Sequence, residues 1–435
     1  MARRQSRIAL SADRQARAIG DAHHKNQKHR LEGAWNDKIA QIAFEIDVKW
    51  GKSKTVMNDD ASTFYEIARL GAGAMAETWL VYHPTETGTS QFYAFKTILP
   101  AYRFQREYLQ LFYHEASVAM LLHHPNIVST CDYGMLHGCG VMVMEPMSGV
   151  TLAELLQKAG ALSPDLAIYV TLEMLEALDY LHAKTDASGT WLQIVHRDVC
   201  PANIHIGYDG HCRLFDFGVC QTLGRDLEIQ RGMMVGTAAY MSPEQCRSLP
   251  VDGRSDLFSL GVVAVEMMTG KPLFYRENPI QIYDAIMHWE PEFSEVIPEA
   301  VVAVLKRALA KSREARFEDA NAMAQALRPH LTISRERARQ ALSQIMTTCF
   351  AAQREREQSL RREAIARYAS SSMAKTRENS PSTPSLHDAG NLEVAVSRLG
   401  DLRDGESTPT DGASNDQNKY KNVAEWIKKW IFGKP

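Results

Sequence analysis

Residues 196–218 read HRDVCPANIHIGYDGHCRLFDFG, and this stretch decides how the rest of the chain is read. Asp198 is followed by Asn203 and, after the run Arg213-Leu214-Phe215, by Asp216. Asp198 offers a carboxylate for the proton of a hydroxyl group. Asn203 offers an amide and Asp216 a second carboxylate, both oxygen donors of the kind that hold a divalent metal ion.

Upstream, Gly71-Ala72-Gly73-Ala74-Met75-Ala76 follows a strand-like opening, Phe64 to Leu70. Small residues there let backbone N–H groups approach phosphate oxygens. Alone this pattern is weak, because ordinary hairpins also contain it. Tyr93-Ala94-Phe95-Lys96 then ends an apolar strand in a lysine that can reach phosphates, and Glu115, in FYHEASVAMLLHHPNIV, can form an ion pair that fixes it. A lone lysine or glutamate is ordinarily a solvated surface group; here the ordered set gives them weight.

The set resembles the eukaryotic-like (Hanks-type) serine/threonine protein kinases of bacteria, over residues 64 to about 330. Further matches are Gly236-Thr237-Ala238-Ala239-Tyr240-Met241-Ser242-Pro243-Glu244, similar to the substrate-docking loop and its closing A-P-E, Asp256 in SDLFSLG, and Arg316, which would pair with Glu244. The resemblance implies an α+β, bilobal protein kinase fold: a small β-rich N-lobe with one key helix and a larger, mainly helical C-lobe. It implies ATP and Mg²⁺ or Mn²⁺ as cofactors and protein substrates with Ser or Thr acceptors. Asp198 would serve the acceptor hydroxyl, Asn203 and Asp216 the metal, Lys96 with Glu115 the phosphates, and Thr237 the shape of the acceptor site. Leu70, Gly71, Ala72, Gly73, Ala74, Met75, Ala76, Thr78, Ala94, Lys96, Met144, Glu145 and Met147 would line the nucleotide, with Met144 at the gatekeeper position and Glu145 and Met147 on the hinge.

Three features depart from the family pattern. Ala76 replaces the third glycine of the loop, and Thr78 the usual valine. Cys200 stands where these enzymes usually carry a lysine that steadies the transferred phosphoryl group. It reads as a tolerated small residue, as the mark of a crippled enzyme, or as a redox-active thiol. A pseudokinase scaffold is the alternative function, although Lys96, Asp198, Asn203 and Asp216 are all present. Between Gly218 and Gly236 the only hydroxyl residue is Thr222. Asp226 or Glu228 could give Arg197 a fixed carboxylate in place of a phosphate; the alternatives are that both acids are solvated and packing holds the loop, or that Thr222 suffices.

The 435 residues have a net charge of −3 that hides an asymmetry: residues 1–60 carry +4, 61–333 carry −11 and 334–368 carry +4. An acidic centre excludes a nucleic-acid binder, which needs a basic face to neutralise phosphates. Seven cysteines without a C-x-x-C pair point away from zinc and towards a reducing, cytoplasmic setting. No apolar run is long enough to span a bilayer, and the start MARRQSRIAL lacks the apolar core of a secretory signal.

Composition divides the chain into a basic, partly helical extension (1–60), a kinase domain (61–333, N-lobe 61–147 and C-lobe 148–333), a charged helix (334–368), a disordered linker (369–418) and an amphipathic helix (419–435). The basic start, residues 1–30, reads as an arm that docks on the acidic core or as a solvated tail. In the last segment Val423, Ile427, Trp430 and Ile431 share a stripe opposite Lys421, Glu425, Lys428 and Lys429. That pattern suits docking in a partner or intramolecular groove, or peripheral contact with a membrane.

Overall fold

Alternating apolar residues after Phe64 fold as antiparallel strands. The computed structural model describes residues 64–73, 75–84, 90–136, 139–186, 188–217, 238–276 and 278–378. Expectations for Ala74, Thr237, the Asp226 or Glu228 pairing, the extension 1–60 and the segment 419–435 lie outside these residues.

Strands β1 (Tyr65–Ala72), β2 (Ala76–Pro84), β3 (Ser90–Ile98), β4 (Thr130–Leu136) and β5 (Cys139–Met144) form a five-stranded sheet in the order β1-β2-β3-β5-β4. One face packs Ala94, Ile98, Met142 and Met144 against Tyr108, Phe112 and Ala116 of helix α1 (Arg106–Ala119). The other face buries Val81, Phe95, Val141 and Val143 beneath Phe64 and Trp79. This β-rich lobe with its single helix is the one expected.

The following lobe opens with a feature the sequence did not signal. β6 (Gly149–Thr151), β7 (Ile204–Gly207) and β8 (Cys212–Leu214) make a small antiparallel sheet. Such short strands carry too few residues for a period to show. Helix α2 (Leu152–Ala159) starts on a capping box, in which Thr151 and Glu154 satisfy each other's backbone N–H groups.

Helix α3 (Pro164–His182) begins at the expected proline, yet Ser163 makes no side-chain cap. Asp165 instead accepts hydrogen bonds from the N–H and hydroxyl of Thr332, each at 2.7 Å. α3 is buried nearly all round, from Leu166 to Leu181, and packs against α5 (Gly253–Thr269), itself buried from Ser255 to Met268. A helix apolar on every side belongs in a core. No helix among the described residues is long and apolar enough to cross a membrane.

Short helix α4 (Pro243–Cys246) holds Glu244, and helices α6 (Pro279–His288), α7 (Glu299–Ala308) and α8 (Ala320–Leu327) complete the lobe. The guanidinium of Arg316, with its side chain fully buried, meets both carboxylate oxygens of Glu244 at 2.7 and 2.8 Å. Ser255 adds a hydroxyl donor to the same carboxylate. Burial would raise the pKa of Glu244, but the arginine and the hydroxyl outweigh it and hold the carboxyl below its ordinary value.

The stretch read as one charged helix over 334–368 is two. α9 (Arg335–Cys349) stops at Phe350, whose backbone leaves the helical region and whose ring is buried beside the Lys158 ammonium. α10 (Ala351–Glu378) then runs past residue 368, into the segment expected to be a linker. α9 belongs to the C-lobe: Ala338, Leu342 and Met346 are buried, Arg335 pairs with Glu173 and Glu176, and Ser343 donates to the Tyr208 carbonyl at 2.8 Å. Gly210 lets the two approach. Its φ is +80°, and a Cβ there would lie 2.2 Å from the Arg339 carbonyl oxygen.

Burial of ionisable groups in this domain has two consequences for stability. Arg316→Met, which strands the Glu244 carboxylate, should cost about 3–5 kcal/mol, seen as a lowered urea midpoint. His114 and His205 are held neutral by burial, each with its pKa lowered to about 4, with the cations Arg197 and Arg213 respectively assisting. The unfolded chain therefore binds the extra protons first, below its ordinary pKa of about 6.5. Their contribution to stability is full above that pH and is lost as the pH falls towards 4. The melting temperature should decline between pH 6.5 and 5, and His205→Gln should flatten the decline.

Candidate functional site

The sequence motifs converge where the two lobes meet. β3 places Lys96 opposite Thr78 of β2 and Met142 of β5. Its ammonium lies 2.7 Å from Glu115 Oε1 of α1 and 2.7 Å from Asp216 Oδ1, beyond β8. Burial acts to lower the lysine pKa, but Asp216 and Glu115 together outweigh it and raise it above the ordinary value, favouring the ammonium form. One cation thus ties the sheet, the helix and the C-lobe.

Asp198 and Asn203 lie on the segment leading into β7. The Asn203 amide donates to the backbone carbonyl of Asp198 at 2.9 Å and to its Oδ2 at 2.8 Å. With its nitrogen committed, the carboxamide presents its oxygen as the remaining polar atom. The Asn203 carbonyl also accepts from the N–H of Phe215 at 3.1 Å, which fixes Asp216 relative to the loop. An amide oxygen and a carboxylate suit a hard divalent cation.

Asp256 of α5 braces this loop from beneath. Fully buried, it accepts from the N–H groups of His196 and Arg197 at 2.8 Å each and pairs with His182 Nε2 at 2.8 Å. Burial pushes its carboxyl pKa up, but these partners outweigh that and keep it ionised, below its usual range. Gln245 of α4 adds a 2.8 Å bond from its amide to the Arg197 carbonyl. The brace holds unusual backbone: Arg197 has φ +70° and Asp216 φ +56°, a region that non-glycine residues enter only when surroundings compel them. Phe217 is buried beside the His196 ring, with centroids 5.1 Å apart.

The residues expected around a nucleotide take their places along β1, β2, β3 and the end of β5. Leu70, Gly71 and Ala72 close β1, and the Gly73 N–H donates to the Ala76 carbonyl at 2.8 Å, turning the chain into β2. A Cβ on Gly71 would meet nothing within 4 Å, so the end of β1 is open at that position. Met75, Ala76, Ala94, Met144 and Met147 belong to or pack against the buried cluster beneath the sheet, with Ala94 and Met144 directly opposite each other. Glu145 can contribute only through its carbonyl. Its N–H bonds the Ser129 carbonyl at 3.0 Å, and its carboxylate meets the Ser129 N–H and Arg213.

Cys200 lies within the site, 3% exposed. Burial and the nearby Asp198 carboxylate push its thiol pKa well up, against donated backbone hydrogen bonds from Asn203 and Ala202. A shielded thiol whose ionisation is disfavoured is a poor candidate for redox chemistry. It supplies no positive charge.

His182, Gln245 and His114 were not singled out in the sequence. The S-x-x-Q capping box of Ser242 and Gln245 was a local signal for one of them; His182 acts through Asp256, a partner distant in the chain, and His114 is marked only by its burial and the charge of Arg197.

The model of the protein kinase domain family matches residues 64–348, which takes in all of α9 but its last residue. Among curated relatives, the tyrosine-protein kinase MasK of Myxococcus xanthus is 32% identical over 61% of this chain and 42% of its own length. Serine/threonine-protein kinase PknA of Corynebacterium glutamicum is 32% identical over 59% of this chain and 54% of its own, and PrkC of Bacillus subtilis 32% over 60% and 39%. The chain therefore spans about half the length of these relatives, or less. The kinase domain of Mycobacterium tuberculosis PknI is similar at 26% identity, covering 62% of this chain and 96% of that one with a TM-score of 0.47. With the family model covering well over half of it, and its ordered motifs gathered around Lys96, this chain belongs to the protein kinase family.

Proposed function

We propose that the chain is a serine/threonine protein kinase that transfers the γ-phosphoryl group of ATP to Ser and Thr hydroxyls of proteins, itself included. The observation that carries this reading is the pairing of Lys96 with both Glu115 and Asp216 at 2.7 Å, an assembled arrangement with Phe217 buried. A pseudokinase needs none of these groups in register, and here Lys96, Asp198, Asn203 and Asp216 are all present.

In this reading Lys96 binds the phosphates, oriented by Glu115, while the turn 71–76 covers them from above. Asp198 accepts the proton of the acceptor hydroxyl as its oxygen bonds to the γ-phosphorus and the bridging β–γ P–O bond breaks. The Asn203 amide bonds to Asp198 aim that carboxylate. Asp216 and the Asn203 oxygen would hold Mg²⁺ or Mn²⁺, which supplies neutralisation of phosphate charge. Among the described residues no cluster of three or more His, Cys, Asp or Glu side chains is poised for a metal. A two-donor site matches Mg²⁺, which keeps waters and phosphate oxygens as its other ligands. With Cys200 uncharged, Lys96 is the cation this set of residues offers to the phosphates.

Names carried by most of the relatives support Ser/Thr over Tyr acceptors. The free cysteines of the described residues suit a cytoplasmic setting. We infer that segment 419–435 docks in a partner or intramolecular groove, because an amphipathic stripe is ordinarily buried against protein. Binding of the full chain to anionic vesicles, absent in a chain ending at 418, would move that assignment to a membrane surface.

The function is tested by incubating the full chain with labelled ATP and Mg²⁺, then mapping modified residues. Label on Ser or Thr is expected, with Asp198→Asn reducing transfer by about 100-fold or more and Asp216→Ala abolishing it. An Asp216→Ala variant as active as the parent would overturn the metal assignment, and label on Tyr alone the acceptor class.

A further inference from the structure

α10 has no apolar stripe in its sequence, being built from Glu, Arg, Gln and Ala, and a helix of that composition ordinarily stands in solvent. Yet Glu357, Leu360, Arg361 and Tyr368 are half-buried and Ala364 is buried, and the five recur at the spacing of one helix face. That face touches three successive parts of the domain.

Glu357 accepts a 2.9 Å hydrogen bond from the Tyr208 hydroxyl of the C-lobe, and Arg354 lies over the same ring. One turn on, Arg361 donates to the hydroxyl of Ser148, just beyond the hinge, at 3.1 Å. The same guanidinium sits 5.0 Å above the Phe92 ring of β3. Ala364 is buried. Tyr368 stacks on Tyr65 of β1, centroids 4.0 Å apart and planes 17° from parallel, with Tyr82 of β2 at 6.2 Å.

Tyr65, Tyr82 and Phe92 are a single row, directly opposite one another across β1, β2 and β3. Side chains alternate along a strand, so Phe92 shares its face with Ala94 and Lys96, and Tyr82 shares its face with Leu80 and Thr78. α10 therefore meets the sheet on its nucleotide-facing side, at the end nearest the hinge. From Glu357 to Tyr368 the helix covers about 17 Å as a rigid rod. If the lobes open, the aromatic row moves away from Ser148 and Tyr208, and a rod fixed at both ends must release one of them.

We propose that α10 is a strap that sets the separation of the lobes, with Arg361 and Tyr368 as positioning residues for the strands that cover the nucleotide. They touch neither the nucleotide nor the acceptor. They act by holding β1 and β2, which carry the turn 71–76, in the arrangement that also closes the Lys96 pairs. Its consequence for ATP rests on the phosphotransfer reading above; its mechanical part does not.

The test uses the full chain with Tyr368→Ala and Tyr368→Phe, the second retaining the stack. Amide hydrogen exchange is read without nucleotide, and KM for ATP and kcat with it. Tyr368→Ala should speed exchange in β1 and β2 about fivefold, the weight of one aromatic pair in a two-state equilibrium, and leave α5 unchanged. KM for ATP should rise by a similar factor while kcat changes less than twofold, and Tyr368→Phe should restore both. Unchanged exchange in β1 and β2 would overturn the proposal, as would exchange rising equally in α5, which marks general destabilisation. A parent chain that transfers no phosphate would sink the phosphotransfer reading instead, with the exchange pattern still deciding the strap.

Discussion

The structure turns on one buried ammonium group. Lys96 keeps only 12% of its side chain exposed, and an unpaired charge there would be costly. Two carboxylates neutralise it, and they come from elements far apart in the chain: Glu115 on α1 and Asp216 from the C-lobe. The charge can be satisfied in full only when the sheet, the helix and the second lobe are all in place. Assembly of the site and satisfaction of the lysine are thus the same event.

The C-lobe side of that arrangement is kept rigid by a second buried charge. Asp256 anchors two consecutive backbone N–H groups of the loop that carries Asp198. Left-handed conformations at Arg197 and Asp216 persist because this carboxylate, Gln245 and the His196–Phe217 contact leave the chain no relaxed alternative. The strain aims side chains at the cleft rather than stabilising the fold. Arg316 and Glu244 secure the base on which α4 and α5 stand.

Much of this was legible because its signals are local. The H-R-D, D-F-G and glycine-turn motifs each fix a short backbone path, and Lys96 and Glu115 sit at fixed places in an apolar strand and an amphipathic helix. What escaped the sequence depends on distant partners or short elements. β6, β7 and β8 hold three or four residues each, too few for alternation to register. The end of α9 at Phe350 comes from a ring that leaves the helical path to be buried beside α2, with no glycine or proline to announce it. α10 seats itself through Glu357, Arg361 and Tyr368, polar or amphipathic residues that a hydrophobicity pattern counts as exposed. The burial of Cys200, which decides between an inert and a reactive thiol, depends on packing that sequence alone does not reveal.

The central claim is that Lys96, held by carboxylates from both lobes, makes this a working phosphotransferase despite the missing catalytic-loop lysine. The most direct measurement is the rate of phosphoryl transfer from ATP by Lys96→Met in the full chain, beside its melting temperature. The account predicts a loss of about 100-fold or more in rate with the domain still folded, since a preorganised charge on the phosphates is removed. A folded Lys96→Met protein that transfers phosphate as fast as the parent would contradict it.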